Sequence, residues 1–183
     1  MDNTDLAYLA GIIDGEGTIT IARAPRNNTK HKVPYYIPHM KVCNTDKALI
    51  DWIHQNFGGR LNNERKPTDK WSTLYYIRWN CGKARDLLNQ LLPYLRIKRL
   101  QALIVLECIG RMNRHMSTGV MMPKEETELR ELLYSVVTKL NKRGPKADAE
   151  RLSEEASSVL RVVRQSDLAG NKLQDSGRNV QSA

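Results

Sequence analysis

The sequence predicts an α+β protein: an antiparallel four-stranded sheet with helices on one face. Two observations carry this. Four short segments alternate apolar and polar residues with a period of two, as half-buried strands do, and they come in two pairs rather than one by one between helices. The segments after each pair repeat apolar residues at helical spacing. Paired strands with segregated helices build an antiparallel sheet whose second face stays open.

Thr4 or Asp5 is placed to cap a first helix that runs to about Asp14, where Gly15 and Gly17 interrupt it. Thr18 to Arg23 alternates, with Ile19 and Ile21 on one side and Thr18, Thr20 and Ala22 on the other. Residues 24–34 form a polar, basic loop. In residues 35–43, Tyr36, Met40 and Val42 oppose Tyr35, His39 and Lys41, and Pro38 favours an edge or bulged position. Asp46 to Phe57 is helical through Leu49, Ile50, Ile53 and Phe57, and Gly58-Gly59 ends it. Strands follow at about 60–65 and 72–81, the second with Tyr75, Ile77 and Trp79 opposite Tyr76, Arg78 and Asn80. Helices are expected from Lys83 to Leu92, from about Ile97 to Met112, and from Lys124 to Asn141. Residues 1–142 thus read as the body with a buttressing last helix, 143–166 as a helical extension, and the Ser-, Asn-, Gln- and Gly-rich 167–183 as a disordered tail.

The 183 residues are 40% hydrophobic, enough for a core, and carry a net charge of +9. Residues 1–142 hold 22 Lys and Arg against 14 Asp and Glu, so the excess belongs to the body. Such a surplus points to a polyanion, with nucleic acid ahead of membrane. No stretch approaches the apolar length of a spanning helix. Cys43, Cys81 and Cys108 show neither a pairing framework nor metal-ligand spacing, so reduced thiols and an intracellular location are expected. The four histidines likewise show no ligand spacing, and Trp52, Trp71 and Trp79 read as packing residues.

The chemistry concentrates in Leu9-Ala10-Gly11-Ile12-Ile13-Asp14-Gly15-Glu16-Gly17. Ala7, Gly11 and Gly15 recur every four positions and line one helix face with almost no side-chain bulk. Each glycine costs a helix about 1 kcal/mol relative to Ala, a loss that close approach of a second helix offsets. Only one such run is present, so the facing helix is expected from a second copy, with Ala7, Ala10, Gly11 and Asp14 at the interface. Two Glu16 carboxylates then converge at two helix C-termini and repel unless a cation sits between them. Oxygen ligands of this kind suit Mg²⁺ or Mn²⁺.

This run, followed by Thr18-Ile19-Thr20-Ile21, resembles the motif of the LAGLIDADG homing endonucleases, and Leu92-Pro93-Tyr94-Leu95-Arg96-Ile97-Lys98 resembles the family's basic turn. The resemblance covers roughly residues 5–140 and, with one motif, is to the homodimeric branch. It implies an αββαββα core, a saddle-shaped sheet lying in the DNA major groove, and cleavage of both strands of a long, near-palindromic site. It also implies an intron-encoded protein of an organelle, bacterium or archaeon. By position it implies that Glu16, helped by the Gly15 carbonyl, holds the metal. Lys98 is implied near the scissile phosphate, with Arg96 and Arg99 as neighbours that compete for the role, and Asn44 as a water-orienting polar residue, with Lys47 as the nearby basic residue.

DNA readers follow from strand parity: Thr20, Ala22, Tyr35, His39, Lys41, Arg60, Asn62, Tyr76 and Arg78, with Arg26, Asn28, Lys30 and Lys32 in the loop reaching flanking bases and phosphates. Glu64 shares that parity and is awkward beside phosphates. Two rival readings use the same scaffold. One is an RNA-binding maturase that assists its host intron, and the other is a transcription regulator, which needs a separate DNA-binding unit for which residues 146–183 offer little room.

Overall fold

The computed structural model describes residues 2–25, 34–65, 72–114, 122–142 and 149–178. The elements in order are α1 (Asn3–Glu16), β1 (Thr18–Ala24), β2 (Tyr35–Asn44), α2 (Lys47–Phe57), β3 (Arg60–Arg65), β4 (Leu74–Asn80), α3 (Cys81–Leu91), α4 (Arg99–Arg114), α5 (Lys124–Leu140) and α6 (Ala149–Arg178). The strands form one open antiparallel sheet in the order β1-β2-β4-β3. Its apolar face carries Ile19, Ile21, Tyr36, Met40, Val42, Ile77 and Trp79, all buried, as the alternation predicts. Helices α1 to α5 pack on the sheet, and α6 packs on α4 and α5. No helix among the described residues is long and apolar enough to cross a membrane.

Helix α1 starts earlier and ends later than its sequence suggests. Asp2, in an extended conformation, is the cap and accepts from the Thr4 N–H at 3.4 Å, so neither Thr4 nor Asp5 fills that role. The helix runs through Gly15 to Glu16 because Leu6, Leu9, Ala10 and Ile13 hold it on the core. Gly17 ends it, donating its N–H to the carbonyls of Ile12 and Ile13. A Cβ on Gly17 would lie 2.7 Å from Ile13 Cα, so only glycine fits there.

Asp46 caps α2 by accepting from the Leu49 N–H at 3.1 Å. Gly58 and Gly59 close the helix with φ of 63° and 101°, in the left-handed region that glycine tolerates. The Trp79 indole then donates to the Phe57 carbonyl at 3.0 Å, fixing the end of α2 against β4. The register of β3 on β4 shifts between Asn63 and Arg65, so strand parity stops at that bulge and does not decide the side of Glu64.

At the far end, α4, α5 and α6 meet around three buried charges. Glu126 accepts from Arg111 at 2.9 and 2.6 Å and from Arg130 at 2.7 Å. Arg111 also donates to the Val163 carbonyl of α6 at 3.4 Å. Below them Ala156, Val159, Leu160 and Val163 complete the core. The helix of α6 reaches Arg178, well into the stretch whose composition reads as a disordered tail. Extending a packed helix avoids the nucleation step that makes an isolated polar helix unfavourable, and composition alone does not register this.

Candidate functional site

The last turn of α1 gathers the site. Glu16 is exposed, and its carboxylate accepts from Asn44 Nδ2 at 2.5 Å. The Asn44 Oδ1 accepts from the Asp46 N–H at 2.8 Å, which fixes the amide with its donor end toward Glu16. The end of β2 and the end of α1 are thereby joined through the two side chains expected to act together. Lys98, from the turn before α4, donates its ammonium to the carbonyls of Ile13 at 2.7 Å and Asp14 at 2.6 Å. A cation there sits at the negative end of the helix dipole. Of the neighbours that compete with Lys98, Arg99 is turned back onto the Leu92 carbonyl at 3.0 Å, and the Arg96 backbone N–H is held by Asp14. Lys47 pairs with Asp51 on its own helix at 2.5 Å.

Two residues expected at a dimer interface are committed elsewhere. Ala10 has no exposed surface, because Leu6, Leu9, Ala10 and Ile13 form the stripe facing the core. Asp14 is half-buried, and its carboxylate accepts three backbone N–H groups, from Arg96, Ile97 and Lys98. Ala7, Gly11 and Gly15, one face further round, are exposed. A Cβ added at Gly11 or Gly15 meets nothing within 4 Å, so no contact inside the chain requires glycine at either position. These residues line a shallow open depression together with Tyr8, Glu16 and Leu49.

The outer face of the sheet holds the other expected residues. Backbone register aligns Thr18, Lys41, Arg78 and Arg60 in one row across all four strands. A second row aligns Thr20, His39 and Asn80, and a third aligns Cys43, Tyr76 and Asn62. Ala22 and Tyr35 lie further along β1 and β2 on the same side. Like charges directly opposite one another destabilise a sheet, and Arg78 has Lys41 on one side and Arg60 on the other. Lys41 lies 5.4 Å from the Tyr76 ring centroid and Arg78 donates to Asn80 at 2.8 Å, which keeps the cations ordered but leaves their charge in place.

His39 is on this face but is only 8% exposed, so it offers less surface than its parity suggests. Its Nδ1 lies 3.1 Å from the Ile37 carbonyl. Burial holds it below the ordinary histidine range, and Arg78 and Lys41 push it the same way, so the ring is neutral near pH 7. Thr18 and Asn80, which the alternation puts on this face, were not among the expected DNA readers. The signal for them was present in the parity of their own strands, and the cross-strand register makes it explicit. Arg26, Asn28, Lys30 and Lys32 lie outside the described residues.

No family model matches the chain. Among curated proteins it is similar to the DNA endonuclease I-CreI of Chlamydomonas reinhardtii, 28% identical over 109 residues, which is 58% of this chain and 63% of that protein. The matched region therefore spans less than two thirds of the curated relative. Among solved structures, the homing endonuclease I-CvuI in complex with its target superposes with a TM-score of 0.62 at 23% identity, covering 86% of this chain and 95% of that one. The archaeal intron-encoded homing endonuclease I-Vdi141I complexed with DNA superposes with a TM-score of 0.61 at 16% identity, covering 92% and 99%. An open antiparallel sheet with the acid-tipped helix α1 packed on β2 is the fold shared with these homing endonucleases. The run Leu9 to Gly17 at that helix end is similar to the LAGLIDADG motif, and the chain shares the fold of these homing endonucleases.

Proposed function

We propose that the chain is a metal-dependent endonuclease that cuts both strands of a long, near-palindromic double-stranded DNA site as a homodimer. The observation that carries this is the gathering of Glu16, Asn44 and Lys98 on the last turn of a helix where a Cβ at Gly11 or Gly15 would meet nothing in its own chain.

Among the described residues there is no group of three or more His, Cys, Asp or Glu that would enclose a cation. Mg²⁺ keeps several waters and takes one or two carboxylates, a demand that the exposed Glu16 carboxylate suits. Glu16 and the Gly15 carbonyl of each of two copies would hold it. When bound, it supplies polarisation of the phosphoryl oxygens and a more acidic water. The chain's own groups do the rest. Asn44 fixes the Glu16 carboxylate through its tethered amide. Lys98 presents a positive charge where the charge of a phosphodiester displacement develops. The row Lys41, Arg78 and Arg60 meets the DNA backbone and guanine edges, while Asn62, Asn80 and Thr20 suit other base edges. Pressing Ala7, Gly11 and Gly15 against the same face of a second copy places the two sites side by side.

The test is to incubate purified protein with a randomised plasmid library and Mg²⁺, sequence the cut ends, and repeat with Glu16→Gln. The expected result is cuts clustered at one long, near-palindromic sequence, lowered by about a hundredfold or more in the variant, which still binds that sequence. A variant that cuts at the parental rate, or a parent that binds the site and cuts nowhere, contradicts the reading.

A further inference from the structure

Asp14 and Lys98 hold each other from both ends. The Asp14 carboxylate uses both oxygens: Oδ2 accepts from the N–H groups of Arg96 at 2.7 Å and Ile97 at 3.1 Å, and Oδ1 accepts from the N–H of Lys98 at 2.9 Å. The Lys98 ammonium returns to the same turn of α1, on the carbonyls of Ile13 and Asp14. One residue is thus stapled at its backbone and at its side-chain tip to a segment two residues from Glu16. The turn has little other freedom. Leu95 is buried in the core and donates its N–H to Leu91 at 3.1 Å, and Arg99 closes the loop on Leu92. A free lysine chain loses about 2 kcal/mol of rotamer freedom when fixed in one place. Pre-placement removes that loss from the reacting complex.

We propose that Asp14 is a positioning residue: its carboxylate sets where the Lys98 ammonium lies on the last turn of α1, so the motif helix and the basic turn work as one unit although 84 positions separate the two residues. Why that placement matters rests on the nuclease reading, but the placement itself does not. A carboxylate is needed because both of its oxygens accept. An amide at position 14 keeps one acceptor and turns a donor toward backbone N–H groups. Asp14 touches no reacting atom, so its effect passes through Lys98.

Two measurements on the full chain decide this. The first needs no activity: brief acetylation with an N-hydroxysuccinimide ester, read by peptide mass spectrometry at Lys98, with the exposed Lys83 and Lys124 as references. Asp14→Asn is expected to raise the Lys98 rate about fivefold or more relative to the references, the size of a modest coupling between contacting residues. Asp14→Ser, which keeps one acceptor and a good capping side chain, supplies the same comparison if the asparagine variant does not fold. An unchanged Lys98 rate in a folded variant overturns the proposal.

The second is a double-mutant cycle in single-turnover cleavage of the recovered site. Asp14→Asn and Lys98→Gln are each expected to slow cleavage about tenfold or more, and the double variant to be no slower than Lys98→Gln alone. Multiplying effects would mean that Asp14 acts elsewhere, and would overturn the proposal. A Lys98→Gln protein that cuts at the parental rate contradicts the role given to Lys98 in the nuclease reading, a failure distinct from the acetylation result.

Discussion

Where α4, α5 and α6 meet, Arg111, Glu126 and Arg130 are between 3% and 5% exposed and each is hydrogen-bonded to another of the three. At the end of α1, Glu16 stands at the surface beside two helix glycines that no neighbour in the chain explains. The first region is satisfied by its own fold. Among the described residues no buried side-chain polar atom lacks a partner. The second keeps features that cost the isolated chain stability: two glycines within a helix, and an acid at the negative end of a helix dipole. Local rules broken without a compensation inside the chain are expected where the compensation comes from outside it.

The largest effect that separates the two regions is the removal of one acid from each. Glu126→Ala leaves two buried guanidinium groups without their anion and should cost about 3–5 kcal/mol, read by denaturant unfolding. Glu16→Gln should change stability by no more than about 0.5 kcal/mol, as for an ordinary surface position, while removing cleavage. Equal losses of stability would erase the distinction.

The glycines of α1 sharpen it. Gly17→Ala drives a methyl into the Ile13 backbone and should destabilise by about 1–3 kcal/mol. Gly11→Ala adds a methyl where the chain has room. It should stabilise the single chain by up to about 1 kcal/mol through helix propensity, yet weaken self-association in sedimentation experiments. A Gly11→Ala protein that associates as tightly as the parent removes the glycine face from the interface.

The smallest effect concerns His39. Its folded proton affinity is lowered by burial, then by Arg78 and Lys41. The unfolded chain binds a proton near pH 6.5 while the native chain does not. The stability this contributes is therefore present above pH 6.5 and is lost as pH falls toward the lowered native value. His39→Gln should flatten the fall in unfolding free energy below pH 6.5. An identical slope would place the ring in a more solvated setting than the structure gives it.

Much of this was legible in the chain. Alternation of Ile19 and Ile21 with Thr18 and Thr20 gave the sheet its two faces, because strand periodicity is a local property. The spacing of Ala7, Gly11 and Gly15 marked the exposed face of α1 for the same reason. What the sequence hid is non-local. Ala10 looked equivalent to its small neighbours until packing put it with Leu9 and Ile13 on the core side. Asp14 looked like part of a helix end, and its three partners lie more than eighty residues away. His39 shared the parity of Lys41, but parity gives a side of the sheet and not a degree of exposure. The pairing of Asn44 with Glu16 joins two elements whose relative placement no spacing rule supplies.

The central claim is that one chain carries half of a cutting site. Mixing parental and Glu16→Gln protein, with the subunits allowed to exchange, tests it directly in an assay of double-strand breaks at the recovered site. If two copies must each supply Glu16, the rate at constant total protein should fall as the square of the parental fraction. A rate that falls in direct proportion to that fraction would mean that each chain cuts on its own, and would contradict the account.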